Sequence, residues 1–276
     1  MNTLKIDGRS VPRLGQGTWN IGDSASTRAA EIAALRRGVE LGLTLIDTAE
    51  MYGSGRSESL VGEAIAPLRD CVYLVSKVLP SNASKEGTMR ACEASLKRLG
   101  VQSIGLYLLH WRGRYPLRET VDAFRHLLDE GKIRAWGVSN FDVDDMEELF
   151  AVPGGEACAA NQVLYNLEHR GIEFDLLPWC QERGVAVMAY SPLGQAGKLL
   201  RSSALKEVAE KYRVSPAQAA LAWCLREPVL AIPKAGSVSH VEENAGAEVL
   251  MLEREDQMVL NLEFPRPHKK QPLAML

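Results

Sequence analysis

Gly42-Leu43-Thr44-Leu45-Ile46-Asp47 joins a helix-stopping glycine to a short apolar run that ends on an acid. Upstream of it, Ile32, Leu35 and Val39 share one helical face, with Ser26 and Thr27 as candidate caps and Gly42 as the stop. The same grammar recurs along the chain. Short apolar runs lie at Leu14 to Gly17, Leu43 to Ile46, Val72 to Ser76, Ile104 to Leu109, Ala135 to Val138, Ala159 to Val163, Val185 to Ala189 and Val229 to Ile232. Segments of helical period separate them, including Val121, Phe124, Leu127 and Leu128 after Pro116, and Leu221 and Leu225 after the cap and first-turn proline Ser215-Pro216. Alternating βα units wind a parallel sheet, and about eight of them close an α/β barrel of the (β/α)8 TIM type.

Length agrees. The 276 residues, 46% hydrophobic, bury one large core, and no Gly, Ser or Pro-rich linker divides the chain, so residues 1–276 read as a single barrel domain. Leu4 to Val11, around Asp7-Gly8, reads as a hairpin that plugs one end. Glu253 to Leu262 reads as an extra helix, and the short tail from Phe264, with Pro265, Pro267 and Pro272, as irregular chain that leaves the pocket open.

A net charge of -3 with 24% charged residues argues against a nucleic-acid face. The segment Met1 to Gly8 lacks a secretory pattern and no apolar run spans a bilayer, which implies a cytoplasmic protein without a membrane partner. Cys71, Cys92, Cys158, Cys180 and Cys224 are odd in number and widely spaced, against a disulfide framework or a metal site. The expected partner is a small molecule, and the expected assembly a monomer or weak oligomer.

In a parallel barrel the active site lies where the strands end. Here Leu45-Ile46 ends on Asp47, Leu74-Val75-Ser76 on Lys77, Leu108-Leu109 on His110, Gly137-Val138 on Ser139-Asn140, Met188-Ala189 on Tyr190-Ser191, and Ile232-Pro233 on Lys234. Each alone has an ordinary explanation: a solvated lysine, a core histidine, a half-buried Tyr52. Together they deliver an acid, a lysine, a histidine and a tyrosine to one rim. A phenol titrates near ~10 and keeps its proton at neutral pH, while a neighbouring ammonium stabilises the phenolate left after donation. Such a set suits a carbonyl that takes hydride on carbon and a proton on oxygen. Gly53-Ser54-Gly55 is not a phosphate loop, because Glu58 stands where the third glycine belongs; it reads as a turn into a helix over Ser57 to Ala66.

Ile46-Asp47-Thr48-Ala49-Glu50-Met51-Tyr52-Gly53, Ser76-Lys77, Leu109-His110-Trp111, Gly137-Val138-Ser139-Asn140 and Ile232-Pro233-Lys234, in this order, resemble the aldo-keto reductase family over essentially the whole chain. Within it the likeness is to bacterial reductases of methylglyoxal and other small or aromatic aldehydes. The resemblance implies Asp47, Tyr52, Lys77 and His110 as the catalytic tetrad, Tyr52 being the general acid, and NADPH (NADP+) as cofactor. It implies Ser139, Asn140 and Gln162 at the carboxamide, Tyr190 stacked on the ring, and Ser191, Leu193 and Gln195 along the pyrophosphate. Lys234 and Ser237 fall at the 2′-phosphate, with His240 where many relatives have arginine, and Glu243 and Asn244 at the adenine. Trp19, Met51 and Trp111 match the substrate pocket, whereas Trp136, Trp179 and Trp223 read as core. Two rivals stand beside this reading: a cofactor-binding, redox-sensing barrel of slow turnover, and an unrelated hydrolase or isomerase using Asp47 and His110.

Overall fold

The computed structural model describes residues 3–276; Met1 and Asn2, part of the stretch read for a secretory signal, lie outside the described residues. The chain opens with the expected hairpin, β1 (Thr3–Ile6) against β2 (Arg9–Pro12), in the register Ile6 to Arg9 and Thr3 to Pro12. Asp7 and Gly8 turn it with φ of 47° and 76°, the two positive values a two-residue hairpin turn requires.

Eight parallel strands follow: β3 (Gln16–Gly17), β4 (Leu45–Asp47), β5 (Tyr73–Val78), β6 (Leu106–Leu109), β7 (Trp136–Ser139), β8 (Ala160–Leu164), β9 (Ala186–Tyr190) and β10 (Val229–Ala231). Each pairs with the next, and all eight fall on the apolar runs of the sequence. The sheet closes on itself where Gly15 N–H donates to the Ala231 carbonyl at 2.8 Å and Gly17 N–H to that of Pro233 at 3.0 Å. Gly17 is required at this seam: a Cβ there would lie 2.6 Å from the Ile232 carbonyl oxygen.

Helices α1 (Arg28–Glu40), α2 (Arg56–Ile65), α3 (Lys85–Leu99), α4 (Leu117–Asp129), α5 (Val143–Phe150), α6 (Leu176–Glu182), α7 (Ser203–Tyr212) and α8 (Pro216–Cys224) connect the strands, α9 (Val238–Gly246) follows the last of them, and α10 (Arg254–Glu263) comes after it as the extra helix. Ser215 and Gln218 form the capping box that Ser215-Pro216 announces. Ser26 and Thr27 do not cap α1. Thr27 sits at φ -95°, ψ -12°, close to helical rather than extended, and its hydroxyl donates to Glu31 Oε1 at 2.9 Å instead.

The two-residue side-chain period sorts the strands into two cores. Leu45, Tyr73, Val75, Leu106, Leu108, Met188 and Leu230 fill the barrel, and Ile6 and Val11 of the hairpin plug that filling from the end where the strands begin. Ile46, Leu74, Leu109, Val138, Val163 and Val187 face the helices, together with the buried Trp136, Trp179 and Trp223. Four cysteines are buried, Cys71 is exposed, and all five are free thiols. Among the described residues no helix is long and apolar enough to cross a membrane, and no cluster of His, Cys, Asp and Glu fits a metal ion.

The tail departs from expectation. Lys270 pairs with Asp144 at 3.0 Å, Leu273 packs on the core, and the backbone of Leu276 comes close to Tyr190, so the tail crosses toward the mouth instead of standing clear.

Because Ile6 is fully buried at the plugged end, Ile6→Ala should cost ~2–5 kcal/mol of unfolding free energy. In urea titrations the midpoint should fall while kcat of the remaining folded protein stays unchanged; an equal loss of kcat would show that plug and rim are coupled.

Candidate active site

Stepping two residues beyond the apolar filling of each strand reaches the rim. Leu45 leads to Asp47, Val75 to Lys77, Leu108 to His110, Ala160 to Gln162 and Met188 to Tyr190, all with the parity that faces the barrel axis. Register then sets their heights: Lys77 pairs with Leu108, Ser139 with Gln162, and Leu164 with Tyr190.

Lys77 is the centre of this layer and has no exposed surface. Its Nζ lies 2.8 Å from both carboxylate oxygens of Asp47, 2.8 Å from the Thr48 carbonyl oxygen and 3.2 Å from Tyr52 Oη. Gln162 Nε2 donates to Asp47 Oδ1 at 2.7 Å. Burial alone would pull the ammonium toward neutrality, but Asp47 and Tyr52 outweigh it and hold Lys77 above its ordinary range. For Tyr52 the largest influence is burial, which raises the phenol; Lys77 opposes it, and the net shift is upward. His110, buried and close to the Lys77 charge, is depressed to about 3 and is therefore neutral across the physiological range. Its ring lies 5.9 Å from that of Tyr52, and its Nδ1 has no partner among the described residues.

Tyr52 reaches Lys77 because the chain reverses sharply after it. Gly53, Ser54 and Gly55 are all left-handed, with φ of 55°, 54° and 88°, and turn the chain into α2. Buried hydroxyls pin the start of that helix: Ser57 Oγ lies 2.8 Å from Thr18 Oγ1 and 3.2 Å from Thr48 Oγ1. Glu58 accepts from Ser76 Oγ and from Arg98 Nε, each at 2.6 Å, which ties α2 to the strand that carries Lys77. The Gly-Ser-Gly turn is thus a structural corner, as its spacing indicates, and Glu58 is fully buried.

The other residues singled out in the sequence form an arc beside this cluster. Ser139 is buried, and Asn140, left-handed at φ 60°, donates through Nδ2 to the His110 carbonyl and to Ser139 Oγ. Tyr190 Oη donates to Asn140 Oδ1 at 2.9 Å; burial, opposed by the Leu276 backbone, pushes this phenol up to about 12. Ser191 and Gln195 are left-handed, with Leu193 between them. Lys234 is exposed beyond β10, Ser237 caps α9 by accepting from His240 N–H at 3.4 Å, and the His240 side chain faces solvent. Farther along α9, Glu243 is half-buried and Asn244 buried. Trp19, 46% exposed, stands edge-on to Tyr52 at 5.1 Å, and Trp111 lies 4.8 Å from His110, with Met51 half-buried beside Tyr52.

Three further groups at or beside the site were not singled out in the sequence. The Thr48 carbonyl acts through its backbone, Ser57 lies inside a helix, and buried Asn166 bonds to the Ser191 carbonyl at 2.9 Å. Of these, Asn166 alone had a visible cue, being an asparagine just past an apolar strand run.

Residues 13–259 match the aldo/keto reductase family. The chain is 52% identical over 272 residues to methylglyoxal reductase YeaE of Escherichia coli K12, covering 97% of this chain and 96% of that one. Glyoxal reductase of Bacillus subtilis is 33% identical over 256 residues, 92% of this chain and 90% of its own. Among solved structures, an aldo-keto reductase of Klebsiella pneumoniae in complex with NADPH superposes with a TM-score of 0.97 at 49% identity, over 100% of both chains. Likeness in sequence and in coordinates therefore runs from end to end across the barrel and its rim, and the chain belongs to the aldo/keto reductase family.

Proposed function

We propose that the protein reduces methylglyoxal and other small or aromatic aldehydes, and some ketones, to alcohols with NADPH, Tyr52 giving the proton. The observation that carries this reading is the buried ammonium of Lys77, held between Asp47 and the Tyr52 hydroxyl. Bound NADPH supplies hydride to the carbonyl carbon. The protein's own groups handle the oxygen. Tyr52 Oη presents a proton that burial keeps in place at neutral pH, and Lys77 stabilises the phenolate that donation leaves behind. Asp47 keeps Lys77 charged and Gln162 keeps Asp47 in position. A neutral His110 orients the carbonyl through a ring N–H without adding charge. Trp19, Trp111 and Met51 grip the rest of the substrate by area, which favours breadth over a single substrate.

The residues present fit the cofactor. Tyr190 offers a ring face at the mouth, with Ser139, Asn140 and Gln162 beside it for a carboxamide. Ser191, Leu193 and Gln195 belong to a left-handed loop suited to a pyrophosphate, and the N-terminus of α9, with Ser237, His240 and the cation of Lys234, suits a 2′-phosphate. Glu243 and Asn244 follow on that helix for the adenine. We infer further that the enzyme works as a monomer or weak oligomer, without nucleic acid.

Tyr52→Phe should lower kcat for methylglyoxal by ~10²–10⁴-fold and leave NADPH affinity near wild type. Following NADPH absorbance tests this, and retention of more than half of kcat by the variant would remove Tyr52 as the acid. A wild type that binds NADPH but turns over no carbonyl of a broad panel would favour the redox-sensing alternative.

The pH profile separates the two titratable partners of the carbonyl. With His110 depressed to about 3 and Tyr52 raised above its ordinary value, kcat for reduction should be flat from pH 5 to 8, a window spanning the ordinary imidazole value of ~6.5, and fall on the alkaline side. An inflection near the ordinary imidazole value would mean that a charged His110 takes part.

At the adenosine end, His240→Arg should tighten NADPH about tenfold and leave NADH unchanged, because a guanidinium grips a phosphate with charge-assisted hydrogen bonds. Fluorescence titration with both cofactors decides it; equal tightening of NADPH and NADH would place residue 240 away from the phosphate.

A further inference from the structure

We propose that Asn166 is a positioning residue for cofactor binding: its carboxamide holds the Ser191 carbonyl and so sets the loop that takes the pyrophosphate. The inference rests on the reading of Ser191, Leu193 and Gln195 given above.

Asn166 lies two residues beyond β8 and has no exposed surface. Its Oδ1 accepts from the backbone N–H groups of Glu168 at 2.9 Å and His169 at 3.0 Å, and His169 Nδ1 lies 3.2 Å from the same oxygen. That clamp fixes the plane of the carboxamide and leaves Nδ2 aimed at one target, the Ser191 carbonyl 2.9 Å away. The clamp itself stands on a rigid base. Glu173 accepts from Arg170 at 2.8 Å, Arg226 at 2.6 Å and Tyr165 Oη at 2.7 Å, and Arg226 lies 3.7 Å over the ring of Trp223.

Ser191 needs such a hold. It is left-handed at φ 46°, a conformation that an L side chain resists, and it begins the loop. Its carbonyl accepts a second bond from Gly194 N–H at 3.0 Å, and Gly194, Gln195 and Ala196 continue left-handed at φ 57°, 54° and 56°. Within this loop the N–H groups of Gly194, Ala196 and Gly197 are spent on loop carbonyls. Those of Leu193 and Gln195 donate to no acceptor among the described residues, and backbone N–H groups gathered in this way form an anion cradle. Asn166 touches neither the tetrad nor the cradle, yet it sets the residue from which the cradle springs.

Asn166→Ala should raise the Kd for NADPH at least tenfold by fluorescence titration. At saturating NADPH, kcat and the KM for methylglyoxal should stay within about threefold of wild type, because Asp47, Tyr52, Lys77 and His110 are untouched. A general loss of structure would do the reverse, lowering kcat with the folded fraction while Kd stays constant. Asn166→Ser keeps a hydroxyl for the Glu168 and His169 N–H groups but is too short for Ser191; it should show the same Kd loss and carries the test if the alanine variant does not fold. In a Ser191→Gly background, where glycine takes the left-handed turn freely, the penalty of Asn166→Ala should shrink at least threefold. Unchanged NADPH affinity in the folded Ala or Ser variant, or an equal penalty in both backgrounds, overturns the proposal. Failure of wild type to bind NADPH would instead bring down the cofactor reading, and this inference with it.

Discussion

The ammonium of Lys77 is buried inside the barrel with no exposed surface, and everything around the rim answers to that charge. A lone buried ion loses several kcal/mol of solvation, and removing one partner of a buried pair commonly costs ~3–5 kcal/mol, so each neighbour is constrained by the others. Asp47 must face Nζ with both oxygens; Thr48 must turn its carbonyl inward; Tyr52 must bring its hydroxyl within reach. The hydroxyl contacts of Thr18, Ser57 and Thr48, and the bridge from Ser76 through Glu58 to Arg98, then hold the corner that carries Tyr52 against the strand that carries Lys77.

Such a charge is sustainable because the barrel is filled from below. The apolar layer of Leu45, Val75, Leu106, Leu108 and Met188, stoppered by Ile6 and Val11, lies beneath the polar layer. The low polarity of this floor strengthens the Lys77 to Asp47 attraction and at the same time drives His110 to its neutral form. One environment therefore produces two opposite results, a retained charge on the lysine, which has a carboxylate partner, and a lost charge on the histidine, which has none.

The strands and three of the rim residues were legible in the sequence because both follow from one rule. Inward side chains recur every two residues, so an apolar run closed by Asp47, Lys77 or His110 declares its direction and its height together. The hairpin was legible from Asp7-Gly8, since few pairs other than such a dipeptide accept two positive φ values in succession. What escaped has a common physical character. The role of the Thr48 carbonyl belongs to the backbone, and that of Asn166 arises between β8 and the end of β9, a contact across 25 positions in the chain. Thr27 looks like a cap in sequence, yet its side chain is taken up by Glu31. The length of the tail does not disclose its path, which Lys270 and Leu273 direct along the barrel surface.

The position of Leu276 bears on how this protein is handled. With the Leu276 backbone near Tyr190, an affinity tag or fusion partner joined after Leu276 emerges at the rim, beside the Tyr190 ring. The hairpin at the other pole offers a remote attachment point, so a label placed at its Asp7-Gly8 turn leaves the mouth unencumbered and one placed after Leu276 becomes part of its wall.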